Sequence, residues 1–569
     1  MLKSRYVAAT IGLLIMIFIA VMFFLPQLQV EKATKGNTYT ESVFDQSKVT
    51  KVDITVADDD LVTILDNPSE KEIVNADVTI DGETVKNVGF RTKGNLSLNS
   101  VVQMGDSDRY SWKIDFDHYQ EDQDLHGLKK LALNNNYSDP TYMREYLSYE
   151  LMEKMGIATP GHSYMYVTIN GKEWGLYLGV EAIEETFLNT NFADGTGDLY
   201  YPDGTGSDLK WISEDIDDYT GLNLKTNDHS EQSAMINMLD AINNEGNLEE
   251  VLDVDEMLRY FAANTALVNL DHYQGDKKHN YYLYEENGIF SILPWDYNMS
   301  FGGYSGGGGR QGGDTNLENR NEVTAKDNDA EQDDTKLPEE APNMNGGRMM
   351  DMSSNFMNEN NINFSITEPV SGTSLDERPL LKALLSNDEY REKYYDYLDS
   401  IATDFFSKEK MTAMTSEITT LITPYVKSDP TKFYTMNEFI EATSGEETLV
   451  EFASQRAESI LAQLSGDLVI EAETESSMGG KAPNMGAEEP GGLQAPNMGG
   501  NGDMPAMQPP DMNRGGNGSP PDVNGIMNQR GPGNSSYSKE TVILSLVLLI
   551  LLLGALAFAH FFKRRGKTG

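Results

Sequence analysis

From Val49 onward, apolar and polar positions alternate. Val49, Val52, Ile54 and Val56 make one run, Ile73, Val78 and Ile80 a second, and Val85 and Val88 a third. Alternation at period two predicts half-buried strands, and Asp81-Gly82 between two of them predicts a hairpin turn. A short helix is expected near Asp59 to Leu65. In Tyr110 to Phe116, Trp112, Ile114 and Phe116 share one face, while Lys113 and Asp115 take the other. Residues 89–98 between these strands read as a loop. Ser163–Ile169 and Trp174–Glu181 flank Asn170-Gly171, a second hairpin signal. The period then lengthens. Asp139-Pro140 predicts a helix start, with the helix running to about Met155 before Gly156. At 100° per residue, Met143, Tyr146, Leu147, Leu151 and Lys154 lie on one face, and Glu150 falls inside that face.

Further helices are predicted at 184–189, 231–244 and 255–268. A strand pair follows, Asn280–Tyr284 and Ile289–Leu293, around Glu286-Asn287-Gly288. Amphipathic helices resume at 379–385, 388–406, 408–427, 436–442 and 448–464. The fold class is therefore α+β, with strands first and helices after.

Composition divides the rest. Residues 304–361 and 467–540 are rich in Gly, Asn, Met, Pro and acidic residues, with Ala-Pro-Asn-Met recurring, and such tracts predict no packed core. Residues 26–45 form a polar stalk, and the folded domain is expected over 46–303 and 362–466. Two apolar runs, 6–25 and 541–562, are each long enough to span a bilayer as a helix. Lys3 and Arg5 precede the first, and the basic tail 563–569 follows the second. This predicts a two-pass membrane protein with both termini cytoplasmic and the main domain outside.

The 569 residues carry 44 Lys and Arg against 90 Asp and Glu, a formal net charge of −46. So acidic a chain excludes nucleic-acid binding by bulk electrostatics. With no cysteine, disulfides, thiolate metal sites and a Cys nucleophile are also excluded.

The chemistry gathers around the second strand pair. A hairpin returns its ends to one side, so Asp271 and Asn280 at its entry should meet Asp296 and Asn298 at its exit. Two carboxylates with carboxamides form an all-oxygen donor set suited to Mg²⁺ (or Mn²⁺) bridged by phosphate. The words Asp271, Asn280-Tyr-Tyr-Leu-Tyr284 and Pro294-Trp-Asp296 resemble the CotH family of atypical kinases, the spore coat protein H-like proteins. Arg378-Pro-Leu-Leu and Phe452-x-x-x-Arg456 extend the resemblance, which covers about residues 45–466.

The resemblance implies a bilobal, protein-kinase-like fold that binds ATP with Mg²⁺ or Mn²⁺ and phosphorylates a protein Ser, Thr or Tyr hydroxyl at the cell surface or spore coat. It implies Asn280 and Asp296 as metal ligands, with Asn298 as helper. Asp271 would be the base, with Asp276 a rival by its spacing to Asn280. Lys113 would meet the phosphates, held by Glu150 with Glu145 as runner-up. Lys93-Gly94 would form the phosphate-covering loop, with Arg91 and Lys93 rivals for Lys113. Base contacts would lie between Val180 and Ile183, including Glu181. Because ATP is scarce outside cells, a non-catalytic surface scaffold or adhesin stands as the alternative, and nucleotidyl or glutamyl transfer as a further one.

Overall fold

The computed structural model describes residues 39–193, 195–226, 230–304 and 356–470. Seven strands, β1 Thr50–Val56, β2 Val74–Ile80, β3 Glu83–Lys93, β4 Ser111–Asp115, β5 Lys130–Asn134, β6 His162–Ile169 and β7 Lys172–Glu181, close into a barrel of order β1-β2-β3-β4-β5-β7-β6. Neighbours are antiparallel except β1 and β6, which run parallel from Thr50↔Met165 to Ile54↔Ile169. One pleat face fills the barrel. Val52, Ile54, Phe90, Trp112, Ile114, Leu131, Leu133 and Val167 are buried together, with Phe90 and Trp112 stacked at 4.8 Å. The other face of β3–β5 carries Arg91, Lys93, Lys113, Lys130 and Asn134, which the pleat turns outward.

A second sheet of β8 Leu199–Pro202, β9 Leu222–Leu224, β10 Tyr281–Glu286 and β11 Ile289–Pro294 has the order β11-β10-β8-β9. It packs into a separate core with the helices Arg144–Lys154, Val254–Leu267, Pro379–Ser386, Asp388–Ser400, Lys408–Ser428 and Leu449–Ser465. Several of these helices start at caps written in the sequence. Asn387 accepts from the Glu389 and Tyr390 amides, and Thr448 accepts from the Glu451 amide. A capping box joins Thr435 and Glu438 at the head of Met436–Ser444.

These observations correct the expectation of a kinase-like bilobal fold with two flanking transmembrane helices. The strands close on themselves through the parallel β1–β6 pair, and the result is a barrel plus helices. Among the described residues no helix is long and apolar enough to cross a membrane, against the two-pass placement. The apolar runs 6–25 and 541–562 lie outside the described residues, as do the tracts 305–355 and 471–540. Two local readings also change. The helix expected from Pro140 begins at Arg144, because Asp139 first accepts from the Thr141 and Arg144 amides and Tyr142 takes a φ of +62°. The stretch expected to be loop up to residue 98 becomes helical at Leu96, and that helix runs to Met104.

A buried ion pair joins the barrel to the helices. Arg109 sits before β4, and its guanidinium donates to Asp429 at 2.8 Å and to the Asn135 carbonyl at 3.1 Å, with both charged side chains fully buried. Asp429 follows helix Lys408–Ser428 and also accepts from the Leu176 amide at 2.9 Å. A Cβ at Gly175 would overlap the Asp429 carboxylate, and Gly175 has a φ of +117°, so glycine is required there twice over. Removing one partner strands the other charge. Arg109→Ala and Asp429→Ala should each lower the urea-unfolding free energy by about 3–5 kcal/mol, with the double variant costing clearly less than the sum. Losses of a few tenths would show that the pair does not hold the barrel to the helices.

Candidate active site

The outward face of β3–β5 and the ends of β10 and β11 enclose a cavity of about 750 Å³. Seven Lys and Arg side chains line it against four carboxylates, in a chain of net charge −46. Arg91, Lys93, Lys113 and Lys130 come from the barrel, because alternate residues of three adjacent strands share a face. The rest of the lining is partly apolar. It includes Ala132 on β5 together with Ile183, Leu199 and Tyr282, and the Tyr201 and Tyr282 rings lie 4.9 Å apart.

The acidic end comes from the loop between helix Val254–Leu267 and β10 and from the exit of β11. Arg378 braces the loop by donating to the Tyr273 and Gly275 carbonyls, and Gln274 donates to Thr265 Oγ1 at 2.9 Å. Asp271 is held from two sides. Its Oδ1 lies 3.1 Å from His279 Nε2, and Asn280 Nδ2 donates to its carbonyl at 2.9 Å and to its Oδ2 at 3.3 Å. Burial alone would lower the His279 pKa, but the hydrogen bond and charge of Asp271 outweigh it and the net shift is upward. Asn280 and Asp296 both adopt the left-handed region, at φ +58° and +56°. Left-handed non-glycine residues are strained, and such strain concentrates at functional sites. Burial raises the Asp296 pKa, Lys93 opposes the rise, and Asp271 adds to it.

Lys93 is held by a chain of polar contacts. Its Nζ donates to Asn134 Oδ1 at 2.6 Å, and it lies 5.4 Å from the centre of the Trp295 ring. Asn134 Nδ2 donates to both oxygens of Glu145, at 3.0 and 2.9 Å, and Tyr149 Oη donates to Glu145 at 3.2 Å. Burial pushes Glu145 up to about 7, with Asp296 adding to the rise and Lys93 opposing it. Burial likewise pushes the Lys93 ammonium below the ordinary lysine value, while Asp296 and Glu145 oppose that shift.

The cavity thus brings together Lys93, Gly94, Lys113, Asp271, Asn280, Asp296 and Asn298. It does not include Glu150, Val180, Glu181 or Asp276. Glu150 faces the other way, against His162 and Gln46, and it is Glu145 that lies against Asn134. Val180 is buried in β7, paired with Ala132, while Ala182 and Ile183 beyond it do reach the cavity. Glu181 accepts from Tyr39 Oη and the Gly161 amide. Asp276 accepts from Tyr304 Oη at 3.2 Å. His279, Asn134 and Lys130 escaped the sequence reading. His279 precedes Asn280 directly and carried the one signal that was available.

Among the described residues no group of three or more His, Cys, Asp or Glu gathers at metal-ligand spacing. The donor set at Asp271, Asn280 and Asp296 nonetheless suits a hard cation that also takes oxygens from phosphate and water. Asp296 carries a raised pKa beside a second carboxylate, and a divalent ion would relieve that repulsion.

The misplaced Glu150 yields a test of its own. His162 is fully buried, with Nε2 3.2 Å from Glu150, Nδ1 3.0 Å from the Pro160 carbonyl, and Glu153 3.9 Å away. Burial lowers its pKa, but the Glu150 hydrogen bond and the two glutamate charges outweigh burial, so the net shift is upward. A folded value raised above the unfolded one, about 6.5, contributes stability that is full below about pH 6.5 and is lost as pH rises through the folded value. The unfolding free-energy difference between wild type and His162→Gln should therefore shrink from about pH 6 to 8. A constant difference would contradict the assignment.

The family model described as CotH kinase protein matches residues 90–460, from β3 through the last long helix. The inner spore coat protein H of Bacillus subtilis (strain 168) is 29% identical over 211 residues, 35% of this chain and 56% of that protein. The inner spore coat protein H-like protein of the same organism is 30% identical over 92 residues, 16% of this chain and 28% of that protein. The chain therefore spans about half of the first relative and less than a third of the second. The family match runs through the barrel roof, the hairpin and the helices alike, and the chain belongs to the CotH family.

Proposed function

We propose that this chain is a phosphotransferase that binds ATP, with Mg²⁺ or Mn²⁺, in the cavity between the barrel and the hairpin. The observation that carries this reading is the lysine-lined roof set over Asp271, Asn280 and Asp296 in an otherwise strongly acidic chain. A triphosphate needs cations above it and a hard-ion site at its end, and phosphoryl transfer asks for little beyond positioning and charge neutralisation.

Asn280 and Asp296, with Asn298 as helper, would hold the divalent ion, which supplies charge neutralisation at the phosphates. Lys93 meets the phosphate oxygens, with Arg91, Lys113 and Lys130 along the same face. Ala132, Ile183 and Tyr282 offer apolar contact to a base. Asp271, held by His279 and Asn280, accepts the proton of an incoming hydroxyl. The new bond joins that oxygen to the γ-phosphorus, and the bridging β–γ bond breaks to release ADP. Asp276 is set aside as base because it does not line the cavity and is bonded to Tyr304. The relatives are named as inner spore coat proteins, so a hydroxyl-bearing coat protein is the acceptor class proposed.

The test uses the purified chain with γ-labelled ATP and Mg²⁺. A protein acceptor should take up label, and Lys93→Met, Asp271→Asn and Asp296→Ala should each cut the rate about 10²–10³-fold, while Asp276→Asn keeps most of it. Label arriving from the α position instead would make the chain a nucleotidyl transferase. No label from either position, with no rise in melting temperature on adding Mg²⁺-ATP, would overturn the reading in favour of a non-catalytic scaffold.

A further inference from the structure

Lys93 and Glu145 oppose each other across the cavity wall, yet they do not touch. Asn134 stands between them, with its oxygen on the ammonium and its NH₂ group on both carboxylate oxygens. This orientation is forced. A flipped amide would set NH₂ against the ammonium and oxygen against the carboxylate, and both contacts would be repulsive. The amide is also anchored from behind. Asn134 ends β5, paired with Leu178, and the next residue, Asn135, is fixed by Ser111 Oγ on its amide at 3.1 Å and by the Arg109 carbonyl on its side chain at 2.7 Å. On the far side, Glu145 is buried and held by Tyr149, itself fully buried.

We propose that Asn134 is the positioning residue for Lys93, and that it carries the hydrogen-bonded link between Lys93 and Glu145. The inserted amide sets how far the ammonium reaches into the cavity, at a fixed point on a rigid strand. A direct lysine–glutamate pair would instead leave two flexible charged side chains to find each other. The proposal rests on the phosphotransferase reading for its consequence, tight triphosphate binding, but the contact itself can be tested without it.

Two readouts are taken on the same variants of the full chain: the dissociation constant for Mg²⁺-ATP, and the acylation rate of Lys93 by an amine-directed reagent, followed by peptide mass spectrometry against exposed Lys427. Asn134→Leu keeps the shape and loses both bonds. It should weaken nucleotide binding about tenfold and raise Lys93 acylation several-fold. Adding Glu145→Gln to Asn134→Leu should cause no further loss of nucleotide affinity, because the hydrogen-bonded link is already cut. Asn134→Asp alone sets two carboxylates together and should also lose affinity. Asn134→Asp with Glu145→Gln exchanges carboxylate and amide, and should return both readouts to within about threefold of wild type. A merely structural asparagine would not be rescued by that exchange. Failure of the rescue in a protein that melts like wild type, or an additional loss from Glu145→Gln on the Asn134→Leu background, would overturn the proposal. If wild type binds no nucleotide, the phosphotransferase reading falls, and the acylation rates still decide whether Asn134 holds Lys93.

Discussion

Two carboxylates confined in one half-buried cavity repel each other, and the fold keeps them there because lysines face them from the barrel. Asp296 shows the balance directly: burial and Asp271 push its proton affinity up, and Lys93 pulls it down. Charges taken out of water need partners. Here the partners are arranged as a positive roof over a negative floor. Under the proposed function, that arrangement would suit a ligand carrying both signs, an anionic phosphate chain with its divalent ion.

The barrel makes the roof possible. A closed sheet has one face committed to its interior, which leaves the outward residues at adjoining positions of β3, β4 and β5 to line the cavity. Period two then delivers Arg91, Lys93, Lys113 and Lys130 to a single surface. The floor depends on the helices. Arg378 braces the loop that carries Asp271, and Arg456 donates to the Ile362 and Phe364 carbonyls and to the Thr265 carbonyl near the end of the helix that leads into that loop. Arg109 and Asp429 then fix barrel against helices. Three buried guanidiniums thus tie distant segments together, each by donating to backbone carbonyls.

What the sequence disclosed was local. The hairpin, the Asn170-Gly171 turn and the inward face of Trp112, Ile114 and Phe116 follow from spacing and turn chemistry, and the structure contains them. The convergence of Asp271, Asn280, Asp296 and Asn298 follows from the hairpin alone. Barrel closure was not legible, because β1 and β6 pair in parallel across more than a hundred residues and no short-range signal marks that pairing. Which lysine meets Asn134 was not legible either, since Lys93 and Lys113 share the outward face and alternation does not distinguish them. Glu150 shares a face with Tyr146, Leu147 and Leu151, but the helix buries Arg144 to Tyr149 with Leu151 and Met152, nearly its whole circumference, so helical phase does not tell which glutamate meets the cavity. Helix Leu96–Met104 was missed because its Ser and Asn residues favour turns over helix interiors.

The central claim is that the cavity holds a metal-bound triphosphate between Lys93 and Asp296. Diffraction from crystals grown with Mn²⁺ and a non-hydrolysable ATP analogue tests it most directly. The account predicts an anomalous peak within about 2.5 Å of oxygens of Asn280 and Asp296, with a phosphate oxygen in hydrogen-bond reach of Lys93 Nζ. Manganese and nucleotide density elsewhere, with the cavity filled only by water, would contradict it.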